Sequence, residues 1–286
     1  MRNWLKNALL IIIALSFPLH VNAQTAKQPE IMLEPNWLGP GDIAVITVKN
    51  LAGSPEGTFN GKKLYWNPSS VSPNTFKTII GIDLFTVPGE YALDIAAGGD
   101  VIHRSIKVSK KKYPVRRLKL RKEMVELSPE NEARVEREQK KMAAVWPNVS
   151  ERSWSGNFIN PREGKIVSKF GVQTIINNVP KSPHTGVDVS ARAGEEVRAP
   201  NNGVAVLIDQ QFFTGNSIVL DHGQGIHTMF FHLSKILISP GQKVKKGDVI
   251  GLVGSTGRVT GPHLHWGVRI EDARVDPLEL IHLKLE

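Results

Sequence analysis

The chain has 286 residues, no cysteine, 36 basic and 27 acidic side chains, and a formal net charge of +9. That length accommodates two domains with cores of their own, and the missing cysteines exclude disulfides, leaving packing and any bound metal to hold the fold. The basic surface favours anionic partners, but no nucleic-acid motif accompanies it, which argues against nucleic acid.

Residues 1–23 read as a targeting segment. Arg2 and Lys6 give a positive start, Ala8 to Phe17 an apolar run, and Val21-Asn22-Ala23 a small-residue cleavage site. The run is too short to span a bilayer well. Cleavage leaves an exported chain of charge +7 without stable membrane insertion; an uncleaved anchor is the alternative. No cysteine follows the site, which argues against lipoprotein processing.

Residues 24–113 read as all-β. Asp42 to Val48 is β-branched, Asn60-Gly61 is a hairpin signal ahead of Lys62 to Trp66, and Pro88-Gly89 precedes a strand at Tyr91 to Ile95. Gly98-Gly99-Asp100 turns the chain into Val101 to Val108. Short strands at this spacing predict a small β-sandwich of immunoglobulin-like type. It holds no catalytic constellation, and His103, without a ligand partner nearby, is read as structural.

Residues 114–154 read as a basic linker and connector helix. The cations from Lys110 to Lys122 are mainly a solvated linker, with contact to acidic polymer or lipid headgroups as the alternative. Ser128 caps a helix with Pro129 at its first position, and Pro147 ends it. Val135, Met142 and Trp146 form a narrow apolar stripe, suited to lying on a domain surface.

Residues 155–286 carry the chemistry on a β-rich sheet punctuated by glycines. Strands are expected at Glu196 to Ala199, Val204 to Asp209, Ser217 to Asp221, His227 to His232 and Val249 to Val253, and Val172 to Pro183 as a rim loop. In His263-Leu264-His265-Trp266, both histidines share one face of a strand. His184 and Asp188 stand four residues apart, and His232 closes an apolar strand between the two clusters.

The order H-x-x-x-D, then H-L, then T-G-x-x-T-G-P-H-L-H-W resembles the M23 (lysostaphin or LytM-type) zinc metallopeptidases, from about Pro161 to Pro277. The sandwich is similar to the domain that some Gram-negative members carry. The resemblance implies a twisted antiparallel sheet, one Zn2+ per chain held by His184, Asp188 and His265, and a monomeric periplasmic enzyme cutting peptide cross-links of peptidoglycan. A catalytic zinc site keeps a position open for water. With no H-E-x-x-H glutamate present, histidine must move the proton. His263 is assigned as general base, and His232 to the oxyanion or a proton shuttle. His222 of Asp221-His222-Gly223 is read as structural. Gln173 stands where many relatives carry arginine, and Phe230-Phe231-His232-Leu233 replaces Y-x-H-L, so no phenol of this domain can stabilise the oxyanion. The rival readings are a non-catalytic LytM-type activator and a wall-binding protein.

Overall fold

The computed structural model describes residues 28–121 and 126–285; the targeting segment lies outside them. Eight strands build the N-terminal domain: β1 (Glu30–Glu34), β2 (Ile43–Lys49), β3 (Glu56–Phe59), β4 (Lys62–Lys63), β5 (Asn67–Pro68), β6 (Phe76–Gly81), β7 (Gly89–Ala97) and β8 (Asp100–Val108). They form two four-stranded antiparallel sheets, ordered β1-β2-β6-β5 and β4-β3-β7-β8. Ala44, Ile46 and Val48 of β2 meet Ile80, Leu93, Ile95 and Ile106 in the core between them, the sandwich expected of alternating strands. Asn60 and Gly61 both take positive φ, +48° and +78°, and close the β3–β4 hairpin across the Phe59–Lys62 pair. Strands β1, β5 and β6 are ones the pattern missed, and the strand expected over Lys62 to Trp66 is confined to Lys62–Lys63.

Beyond the sandwich come β9 (Val115–Leu118) and the helix α1 (Pro129–Ala143). Ser128 Oγ accepts from Asn131 N at 3.3 Å, Pro129 opens the first turn, and Arg134 pairs with Glu138 at 2.6 Å. The helix stops at Ala143, short of the expected Trp146, because the last turn tightens: Val145 N donates to Met142 O, and Asn148 Nδ2 to Ala144 O.

The C-terminal domain follows with β10 (Ile166–Ser168), β11 (Gln173–Ile176), β12 (Val179–Pro180), β13 (Gly186–Ser190), β14 (Glu196–Arg198) and β15 (Gly203–Gln211). Next are β16 (Gly215–Asp221), β17 (Ile226–Ile236), β18 (Lys243–Val244), β19 (Val249–Val253), β20 (His263–Ile270), β21 (Ala273–Val275) and the short α2 (Pro277–His282). Seven strands run in the order β10-β13-β20-β17-β16-β15-β18, with β14, β19 and β21 attached. Trp266, Phe230, Ile218, Leu220 and Leu264 fill the core behind that sheet, all completely buried.

Two expectations change here. The stretch 172–183 is not a bare loop but the hairpin β11–β12, and the basic segment ahead of α1 is not wholly solvated: β9 joins that hairpin as a parallel third strand, Val115 opposite Gln173 and Leu118 opposite Ile176. Val115 and Leu118 in one stretch and Thr174, Ile175 and Ile176 in the other permit a strand, but only the fold brings them side by side.

The two domains share buried surface. Ile43 and Leu84 of the sandwich pack into the C-terminal core, and a Cβ on Gly81 would lie 2.9 Å from Val275. Asp83 takes the Arg274 backbone N–H at 2.8 Å and its guanidinium at 3.1 Å, and Glu279 takes Ile43 N–H at 2.7 Å. Lys111 adds a contact across the boundary, its Nζ 3.5 Å from Glu279 Oε1.

His222 behaves as read. It is fully buried, and its Nδ1 donates to Asn202 O at 2.7 Å while Nε2 accepts from the Thr228 hydroxyl at 2.8 Å. That pattern needs the neutral ring, and burial lowers its pKa from 6.5 to about 4, with the Asn202 bond opposing and His227 adding to the fall. The unfolded imidazole takes its proton near pH 6.5 whereas the folded one stays neutral down to about 4, so proton uptake favours unfolding across that interval. Stability is therefore whole above pH 6.5 and falls by about 3 kcal/mol from this group as pH drops to 4. Urea unfolding of chelator-treated protein at pH 7.5 and 4.5 measures it; His222→Gln should flatten the slope, and an unchanged slope refutes the assignment.

Candidate functional site

The site forms where β13 and β20 lie side by side, with Asp188 directly opposite His265. Alternation puts His263 and His265 of β20, Asp188 of β13 and Met229 and Phe231 of β17 on one face of the sheet. His184 enters from the turn before β13. The three atoms His184 Nε2, Asp188 Oδ1 and His265 Nδ1 stand 3.0 Å from one another in a triangle. Among the described residues no other trio of His, Cys, Asp or Glu converges in this way.

Each ring has an orienting partner. Lys169 O lies 3.0 Å from His184 Nδ1; a carbonyl can only accept, so Nδ1 carries the proton and Nε2 turns its lone pair inward. Phe231 stacks on His265 with ring centres 5.1 Å apart and planes 8° from parallel. Burial opposes the Asp188 charge, yet the adjacent His184 and His265 rings outweigh it and hold the carboxyl well below the usual range. Burial also lowers the pKa of His265, against the pull of Asp188. Three such atoms share at most one proton, so lone pairs face each other across 3.0 Å, a repulsive arrangement that a central divalent cation relieves. The donor set of two imidazoles and one carboxylate thus fits a metal of the zinc type.

Two more imidazoles flank the triangle. His263 Nδ1 donates to Gly261 O at 2.9 Å and its Nε2 is 3.7 Å from Asp188 Oδ1. His232 Nδ1 donates to Thr256 O at 3.0 Å, and its ring centre is 4.9 Å from that of His263 and 6.1 Å from that of His265. Both present Nε2 lone pairs. Burial, reinforced by His265, lowers the His232 pKa to about 4.

Strict alternation along β17 would send His232 to the face opposite Phe231. Instead Ile218 pairs with Phe230 and Asn216 with Leu233, so two residues of β17 face one of β16, and His232 takes φ +64°. This bulge swings the fifth residue to the others at a backbone cost of about 1–3 kcal/mol.

Sequence reading missed the support behind His184. Gly171 N donates to His184 O at 2.8 Å, and Phe170 meets Tyr113 edge-on with centres 6.1 Å apart. Tyr113 in turn donates to Pro40 O of the sandwich. A Cβ on Gly171, at φ +77°, would fall 2.0 Å from the Tyr113 ring. Gly171→Ala should therefore destabilise the protein by about 2 kcal/mol or more and weaken metal binding about 10- to 100-fold, by displacing the turn that holds Lys169 O. Chelator competition and thermal melts check this; wild-type metal affinity would show that the turn does not orient His184.

A His2Asp triangle with two orienting-bonded imidazoles beside it, on one sheet face, is the constellation of a metal-dependent hydrolase. The model of peptidase family M23 matches residues 182–277. The peptidoglycan DD-endopeptidase ShyA of Vibrio cholerae is 42% identical over 98 residues, 34% of this chain and 23% of that protein. The DD-carboxypeptidase/endopeptidase Mpg of Neisseria meningitidis is 42% identical over 97 residues, 34% of this chain and 22% of its own length. The chain thus spans less than a quarter of these curated relatives. A crystal structure of a Pseudomonas aeruginosa protein assigned to M23 superposes at a TM-score of 0.67 with 33% identity, covering 85% of this chain and 94% of that one. The chain belongs to peptidase family M23.

Proposed function

We propose that this chain is an exported, zinc-dependent endopeptidase hydrolysing peptide cross-links of bacterial peptidoglycan. The observation that carries the reading is the lone-pair triangle of His184, Asp188 and His265 with the Nε2 atoms of His263 and His232 beside it. Names of relatives that share the motif-bearing stretch, peptidoglycan DD-endopeptidase among them, support the substrate.

His184, Asp188 and His265 would hold the ion. When bound, it supplies Lewis acidity toward a scissile carbonyl and a water. His263, with Nδ1–H tied to Gly261 O and Nε2 nearest the triangle, takes the proton of the attacking water and returns it to the leaving amine. His232 stands beside His263, close enough to share that proton. No tyrosine hydroxyl serves the oxyanion, since Tyr113 spends its own on Pro40. An activator that only binds would have no use for the paired imidazoles.

Digestion of purified cross-linked muropeptides, with the cut bond identified by mass, tests the proposal. Cleavage abolished by chelator and restored by Zn2+ is expected. Metal-loaded protein that leaves every cross-link intact refutes the enzyme reading.

A further inference from the structure

The helix α1 lies outside the stretch matched by the family model, yet it packs on the same sheet face as the metal-ligand triangle. Met142 of the helix, with Val145 and Trp146 of the turn that follows it, covers Leu207, Val219, Met229 and Phe231. Arg134 donates to Gln210 O, Glu138 accepts from Phe212 N at 2.8 Å, and Lys141 pairs with Asp209. Between helix and sheet runs a groove of about 450 Å³, in the range that takes a peptide segment. One end is walled by Thr185, the neighbour of His184, and by Phe231, which stacks on His265. The groove therefore adjoins the site described above.

Two groups along it lack partners of their own kind. Gln211 is 6% exposed; the Thr214 hydroxyl donates to its Oε1 at 2.9 Å, but its buried Nε2 has no acceptor among the described residues. An amide N–H buried without an acceptor is unfavourable, so the position is suited to a ligand carbonyl. At the far end is Arg269, whose guanidinium lies 4.4 Å from the centre of the Trp146 ring and donates to Asp272 O at 2.8 Å. No carboxylate is within salt-bridge distance of it among the described residues, whereas its neighbour Arg274 is taken by Asp83. Burial and the Arg274 charge lower the Arg269 pKa to about 10, which leaves it cationic at neutral pH.

Along β20, Arg269 follows His265 by four residues on the same face, a separation of roughly 13 Å, or about four residues of extended peptide. We propose that this groove is a substrate subsite for an acidic peptide arm, Gln211 Nε2 donating to a peptide carbonyl and Arg269 taking a carboxylate several residues from the scissile bond. The proposal rests on the hydrolase reading above and adds which part of the substrate is recognised and where. Helix α1 acts as a wall of the substrate groove, and Trp146 sets the plane of the arginine.

Calorimetry on the full metal-loaded chain tests it without needing turnover. The probes are an uncross-linked peptidoglycan stem tetrapeptide and the same peptide with its carboxylates converted to carboxamides. The wild type should bind the acidic form about 10- to 100-fold more tightly than the amide, the range for a hydrogen bond to a charged group. Arg269→Gln should erase that preference, and Arg269→Lys should keep part of it. Equal binding of both probes by the wild type overturns the proposal without any variant, as does a preference that survives in Arg269→Gln. Failure of the wild type to cut any cross-link would sink the hydrolase reading alone, because the binding comparison still decides what the groove recognises.

Discussion

Replacing His184, Asp188 or His265 by alanine should remove bound metal and turnover together, lowering kcat/KM by about 10³-fold or more, whereas His263→Ala keeps the metal and loses about 10²- to 10⁴-fold in kcat. The reason is geometric. The three proposed ligand atoms form a 3.0 Å triangle, so deleting one leaves two that cannot surround an ion. His263 Nε2 lies 3.7 Å from Asp188 Oδ1 and outside that triangle. Metal content by mass spectrometry beside muropeptide kinetics separates the classes. Stoichiometric metal retained in Asp188→Ala would overturn the ligand assignment, and metal lost in His263→Ala would place that histidine among the ligands.

A chain beginning at residue 155 should be less stable and no faster. An N-terminal region that blocked the cleft would make removal activating; the contacts found point the other way. Truncation uncovers Leu207, Val219, Met229 and Phe231, now beneath α1 and the turn after it. Re-exposure at about 1.5 kcal/mol for each of these side chains is roughly 6 kcal/mol, comparable with the whole stability of many domains. It also strips β9 from β11 and Tyr113 from Phe170 and Gly171, loosening the turn that holds His184. Thermal melts, chelator competition and turnover on small soluble cross-linked peptides should all decline. A shortened chain with unchanged melting temperature and faster turnover would show instead that α1 is a removable cover.

Much of the site was legible because metal chemistry constrains residue type and spacing tightly. His263 and His265 share a strand face by the two-residue period, and the four-residue spacing of His184 and Asp188 marks a second cluster of ligand-type residues. Strand positions from Glu196 to Val253 followed from β-branched runs between glycines, and Ser128-Pro129 announced the helix start. These are local properties, carried by backbone preference and side-chain period, so the order of residues suffices to state them.

What neighbours decide could not be read that way. The same alternation that unites His263 and His265 puts His232 on the wrong face, and only a bulge against β16 turns it inward. The pattern in α1 showed an apolar stripe but not which surface it covers, because any apolar patch of matching shape satisfies it; the fold laid it along the groove beside His265. Tyr113 carries no motif at all. Its role depends on a glycine 58 positions later leaving room for its ring, and on a sandwich carbonyl placed to receive its hydroxyl. Residue type and spacing along the chain determined which side chains are candidates for holding a metal in this protein. Long-range packing, which depends on shapes meeting across the fold, decided how the ligands are held and what lies beside them.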